Sequence, residues 1–283
     1  MIIQTINLNT QQFRIEVINP IKMNRQIILT ILVVIITLTA TAQWNVQMVE
    51  NVGNSGLNTN ILVDSQGNQG ILYKGGADGY TLLYSNWNGN SWKSTNVAGG
   101  VYGDVSAVID QGDTIYCVYS TGTYTGSSRG LYYCKKLPGQ AWSSPSRLLT
   151  GNFYEVSIEY FYDVPNGTTI PHIAYYNGIL NHIFFNPQTL NWINEIVDET
   201  SGSGVYNDIA IDNDGGIHIA YTGGDSDLKY AFFDNTQWSI IFVDGLFENV
   251  GQFSSIEVDS DGVAHISYYD NTNHQLKHAT ISH

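Results

Sequence analysis

Five tryptophans at nearly equal spacing, a tyrosine and a leucine that return in register with them, and four short strands in each interval predict an all-β fold. The architecture they predict is a β-propeller of five four-stranded blades. The tryptophans are Trp44, Trp92, Trp142, Trp192 and Trp238, separated by 48, 50, 50 and 46 residues, with Trp87 off this grid. The tyrosines are Tyr73, Tyr119, Tyr175, Tyr221 and Tyr268, and the leucines are Leu82, Leu131, Leu180, Leu228 and Leu276.

Each repeat divides in the same way. Its first strand, as in Ser255 to Asp259, alternates and runs into an Asp-x-x-Gly turn. The second reads like His265-Ile266-Ser267-Tyr268, and the third like Leu228-Lys229-Tyr230-Ala231. The fourth opens at the tryptophan, as in Trp238 to Val243. Asn88–Gly89 and Asp234–Asn235 supply turns between third and fourth strands. The last repeat ends on its third strand, Leu276 to Ile281, while a tryptophan strand at Trp44 precedes the first repeat. Pairing those two ends would complete the fifth blade, close the ring and remove an open sheet edge.

The N-terminus reads as a targeting segment. Arg25 precedes an apolar run from Ile27 to Leu38, interrupted at Thr30 and Thr37, and Ala40-Thr41-Ala42 offers a small-x-small cleavage site. The run is too short to cross a bilayer comfortably. Residues 1–22 are therefore expected to be an upstream extension from a misassigned start at Met1 rather than Met23. Residues 23–42 are expected to be a signal peptide, and residues 43–283 the propeller. A secreted or periplasmic monomer with no membrane span in the mature chain follows as the expectation.

Charged residues make up only 13% of the chain and the net charge is −14. Phosphate contacts need clustered Lys and Arg, so nucleic acid is not an expected partner. Anionic membrane surfaces are disfavoured for the same reason. The 28 glycines and 19 tyrosines suit tight turns and half-buried strands.

The turns Asp212-Asn213-Asp214-Gly215 and Asp259-Ser260-Asp261-Gly262, with the tryptophan-led strands, resemble those of secreted bacterial β-propellers of the sialidase-like, Asp-box type. The Asp box reads S-x-D-x-G-x-T-W, and here histidine strands follow the turn in place of Thr-Trp. The resemblance implies the propeller fold along residues 43–283 and raises sialidase chemistry. Sialidase sites of that kind clamp a carboxylate with three arginines. Only Arg129 and Arg147 follow residue 42, so the resemblance does not carry that activity to this chain.

Other residue patterns point to structure rather than chemistry. His172, His218 and His265 hold one repeat position, filled by Gly70 and Tyr116 elsewhere, so they are expected to sit in separate blades and to bind no zinc. The Asp-x-Asp-Gly turns lack the closing Glu of a calcium loop and are expected to serve as turns. No metal or cofactor is expected. Cys117 and Cys134 fall opposite one another on one hairpin and are expected to form a disulfide in an exported protein.

One end of the blades carries the candidate site. Tyr102, Asp104, Tyr154, Glu155, Tyr206, Asp208 and Phe253 stand before the first strands, and Asp78, Tyr80, Tyr124, Asp225, Asp227, Asp270 and Asn271 lie in the loops between second and third strands. Aromatic faces beside carboxylates suit a sugar, which offers an apolar face and a rim of hydroxyls. The expected function is non-catalytic binding of a glycan or another cell-surface ligand. The alternatives are a glycoside hydrolase or polysaccharide lyase working through Asp104, Glu155 and Asp208, and a propeller that binds other proteins.

Overall fold

The computed structural model describes residues 45–121, 128–246 and 248–282. The segments 1–22 and 23–42, Trp44 and Tyr124 lie outside them. Met48–His283 form one compact unit, described below.

The described residues form five antiparallel sheets, each of strands consecutive in sequence. The first holds β1 (Leu57–Val63), β2 (Gln69–Gly75), β3 (Thr81–Trp87) and β4 (Trp92–Ala98). The second holds β5 (Val105–Ile109), β6 (Ile115–Ser120), β7 (Leu131–Lys136) and β8 (Ser146–Leu149). The third holds β9 (Val156–Asp163), β10 (Thr168–Tyr176), β11 (Leu180–Asn186) and β12 (Asn191–Asp198). The fourth holds β13 (Val205–Ile211), β14 (Ile217–Thr222), β15 (Leu228–Phe233) and β16 (Trp238–Asp244). The fifth has three strands, β17 (Gln252–Val258), β18 (Ala264–Asp270) and β19 (Gln275–Ile281). Second strands lie inside the sheet with both faces covered. This is why β6 and β14 read as unbroken runs, Ile115-Tyr116-Cys117-Val118-Tyr119 and Ile217-His218-Ile219-Ala220-Tyr221, and are buried throughout.

The turns form as their residues dictate. Asp212 Oδ1 accepts from the N–H groups of Asp214 (2.9 Å) and Gly216 (2.7 Å), and Asp259 Oδ1 from those of Asp261 (2.9 Å) and Val263 (3.0 Å). Gly215 and Gly262 take the left-handed backbone at φ 85° and 79°. Their first aspartates are thus spent on the turn. The fourth strand of the second sheet starts later than its tryptophan. Trp142 makes one isolated bridge to Lys136, and β8 begins only after Pro145, which has no N–H for the ladder.

Hydrophobic cores sit between neighbouring sheets. The repeated leucine of one sheet meets the first strand of the next. Leu82 lies with Val101, Val105 and Ala107. Leu131 lies with Phe153, Val156 and Ile158. Leu180 lies with Ile209, and Leu228 with Val250 and Ile256. These four leucines are 0% exposed. Hydrogen bonds cross the same joints: Ala107 N–H donates to Asn60 Oδ1 (3.1 Å), Ile158 N–H to Ser106 Oγ (3.2 Å) and Ile256 N–H to Asp208 Oδ2 (3.0 Å). All five repeated tyrosines are buried. Four phenols have a partner, Ser85, Asn194, Asp198 and Asp244 for Tyr73, Tyr175, Tyr221 and Tyr268.

The expected closure by the N-terminal strand is not what the described residues form. Asn45–Glu50 have no strand structure, and β19 has no neighbour on its outer edge among the described residues. The sheets therefore number four of four strands and one of three. β1 and β17 also do not pack together as the other consecutive first strands do.

Cys117 and Cys134 face one another across the β6–β7 hairpin, as a cross-strand bond requires, and are buried free thiols in this structure. If they join on export, the denatured secreted protein should show no reactive thiol until it is reduced. Two reactive thiols without reductant would show that the pair stays open.

Candidate functional site

The starts of first strands, the ends of second strands and the starts of third strands fall at one end of each sheet, by antiparallel order. The aromatic residues expected there are present in pairs. Tyr80 and Tyr102 have ring centroids 4.3 Å apart, Tyr154 and Tyr176 6.1 Å, and Tyr206 and Phe253 4.7 Å. Tyr80, Tyr102 and Tyr154 are exposed, and Phe253 is 68% exposed. Tyr206 and Phe253 hold left-handed backbone, φ 51° and 53°, as does Asn58 at φ 48° in the first sheet. Each occupies a bulge where the first strand begins. An aromatic residue held at positive φ and left in solvent is a strained arrangement of the kind that collects at binding sites.

The carboxylates divide into two groups. Asp104 accepts from the side-chain amide of Asn58 and from Val105 N–H (2.9 Å). Burial raises its pKa despite these bonds. Burial, reinforced by the charge of Asp104, pushes Glu155 up to about 7. Asp208 accepts from Ile209 N–H (3.1 Å) and Ile256 N–H (3.0 Å), and burial pushes it up to about 6. The charge of Glu257 raises it further, and Asp208 in turn raises Glu159. So the charge of Asp104 acts on Glu155, while Asp208 acts with Glu159 and Glu257, on three successive first strands. Burial and then the charges of Glu257 and Asp208 push Glu159 up to about 7. Sequence reasoning overlooked Glu159 and Glu257. The signal was present, since each follows a buried isoleucine, Ile158 or Ile256, and must point to the other face of its strand.

The three register histidines lie in separate sheets and bond locally. His218 Nε2 lies 3.1 Å from Asp212 Oδ2 and its Nδ1 2.6 Å from the Tyr230 hydroxyl. His265 Nε2 lies 3.0 Å from Asp259 Oδ2. His172 Nδ1 lies 3.0 Å from His182 Nε2, and His182 Nδ1 lies 2.8 Å from Glu195. Tyr116 bonds Asp110 from the same position (3.0 Å). Among the described residues no group of three His, Cys, Asp or Glu side chains is placed to hold a metal ion.

A second feature escaped the sequence altogether. A cleft of about 420 Å³ opens between the first two sheets, lined by Tyr84, Asn86, Lys136, Gln140 and Trp142 among others. The buried indole N–H of Trp142 has no acceptor among the described residues. An orphaned donor beside amides, a cation and an aromatic edge is equipped to meet a ligand oxygen.

No protein-family model matches this sequence, and no curated protein matches it. Solved structures do resemble the fold. AofleA from Arthrobotrys oligospora matches with a TM-score of 0.58 at 13% identity, over 85% of this chain and 74% of that one. A variant of the Aleuria aurantia lectin in complex with α-methyl-L-fucoside matches with 0.59 at 14% identity, over 83% and 78%. The SapL1 lectin in complex with α-methyl fucoside matches with 0.55 at 11% identity, over 80% and 81%. The Aleuria lectin is described as a six-bladed β-propeller. At these identities the likeness establishes the propeller fold.

The carboxylate group makes a pH prediction. A buried acid with a raised pKa binds its proton more readily folded than unfolded. Its ionisation therefore costs stability as pH rises from the unfolded value, about 4.3 for Glu, through the folded value of about 7. Glu159→Gln should raise the unfolding temperature near pH 8 and leave it nearly unchanged near pH 4. An equal effect at both pH values would contradict the assignment.

Proposed function

We propose that this chain is an exported glycan-binding propeller, and that the sugar docks on the aromatic pairs at the first-strand end of the sheets. The observation that carries the reading is Phe253, an exposed aromatic held at positive φ against Tyr206, on the same first strand as Glu257. A flat apolar ring takes the CH face of a pyranose, and nearby carboxylates and amides take its hydroxyls. The Trp142 cleft offers a second place with an unmet donor for a hydroxyl oxygen. The lectins of similar fold, two of them in complex with fucosides, support a carbohydrate ligand and put α-fucosides first among those to test.

A second reading has one observation behind it. Glu155 sits near neutrality beside Asp104, so one of the two can hold a proton while the other is ionised, as acid–base hydrolysis of a glycoside requires. Against it, Asp104 is tied down by Asn58 and backbone N–H groups, and Asp208 acts with Glu159 and Glu257.

Titration calorimetry against a panel of fucosides and polysaccharide fragments tests both. Binding without cleavage is expected, weakened about tenfold or more by Phe253→Ala with the fold intact. No binding by any member, or binding indifferent to Phe253 and Tyr206, would refute the proposal. Release of reducing ends, lost in Glu155→Gln, would favour the enzyme.

A further inference from the structure

The two ends of the sheet array carry the two halves of one more joint. In the fifth sheet Leu276 holds the position of Leu82, Leu131, Leu180 and Leu228, each 0% exposed, yet it is 83% exposed. In the first sheet Ile61 holds the position of Ile158, Ile209 and Ile256, which are 6%, 4% and 2% exposed, yet it is 65% exposed. Those isoleucines pack with the preceding sheet's leucine, Leu131, Leu180 and Leu228. The backbone repeats as well. Gly204 and Gly251, at φ 107° and 82°, lie so close to Leu180 and Leu228 that an added Cβ would come within 2.9 and 3.0 Å of those leucines' Cα atoms. Gly56 has the same conformation, φ 98°, and the same bond, its N–H donating to Lys74 O (3.1 Å) as that of Gly204 donates to Thr222 O (3.0 Å), but nothing lies within 4 Å of the equivalent point.

The aromatic part of the joint is present on both sides too. Tyr84, Tyr133 and His182 on third strands meet Trp142, Trp192 and Trp238 of the next sheet edge-on, at 5.6, 4.9 and 5.5 Å between centroids. His278 and Trp92 are the residues at those positions at the two ends of the array.

We propose that the Leu276–His278 face of the fifth sheet docks on the Gly56–Ile61 face of the first sheet of a second copy of this chain. A second copy is the fitting occupant because both halves are on this chain, each matches the other as four internal joints do, and within one chain Leu276 and Ile61 both stay exposed. A head-to-tail contact of this kind closes when two chains exchange ends and otherwise propagates. It replaces the monomer expected from the sequence, which assumed a ring completed within one chain. It uses sheet faces at the array ends and does not depend on the glycan reading.

Sedimentation of the exported protein should show a dimer or larger species. Leu276→Arg and Ile61→Arg should each weaken association at least about tenfold, with thermal unfolding unchanged in dilute protein, where the lone chain leaves both residues exposed. Mixing the two variants should restore one good joint and give a one-to-one dimer. A wild-type protein that stays monomeric at about 100 μM, where even a weak contact would register, would overturn the proposal. So would a Leu276→Arg variant that associates like the wild type. The paired variant Leu276→Cys with Ile61→Cys should cross-link between chains on oxidation. A cross-link within one chain, or none, would overturn it.

Discussion

Everything in this fold hangs on the joint between one sheet and the next. A single four-stranded sheet of this composition has two apolar faces and cannot cover either alone. The leucine that opens each third strand is the residue that covers them. It is driven into the first strand of the following sheet, where an isoleucine or alanine and a valine, phenylalanine or close-packed glycine receive it. Complete burial of one leucine side chain stabilises the fold by about 1.5–3 kcal/mol by removing apolar surface from water. The side-chain bonds from Asn60, Ser106 and Asp208 to the next strand's N–H groups then fix the register between sheets.

The same joints position the candidate site. Asp208 is at once a strap between β13 and β17 and a member of the acidic group with Glu159 and Glu257. Asp104 is likewise held by Asn58 of the preceding sheet while it presses on Glu155. Carboxylates used in this way are buried enough to be pushed toward neutrality. Their hydrogen bonds to neighbouring strands hold them in place as part of a preformed surface. The aromatic pairs are the part of this end that structure alone does not require. Phe253 is outside every apolar core, and its backbone strain is not relieved by burial.

Much of this was legible in the sequence, because periodicity survives without coordinates. The Tyr221 and Leu228 positions mark the second and third strands in every repeat, and the Asp-x-x-Gly turns mark where first strands end. That His172, His218 and His265 lie in separate sheets also followed from register alone. What stayed hidden depended on where a chain folds back rather than on what repeats. The bulges at Tyr206 and Phe253 carry no glycine to announce positive φ. The orphaned N–H of Trp142 and the late start of β8 at Ser146 are both concealed by the regular tryptophan spacing. The pairing of the N-terminal strand with β19 was inferred from counting strands, and counting cannot tell whether the ends of an array meet.

The joint itself can be isolated by comparing two glycines with the same backbone and different neighbours. Gly204, at φ 107°, lies against Leu180, whereas Gly56, at φ 98°, has nothing within 4 Å of the point where a Cβ would stand. Alanine at either position incurs the same left-handed strain, so the difference between them reports the joint. In dilute protein, the unfolding free energy of Gly204→Ala should fall about 1–3 kcal/mol further than that of Gly56→Ala, the usual range for overpacking a tight core. Equal losses would contradict the claim that close packing of leucine on the next sheet holds the fold together.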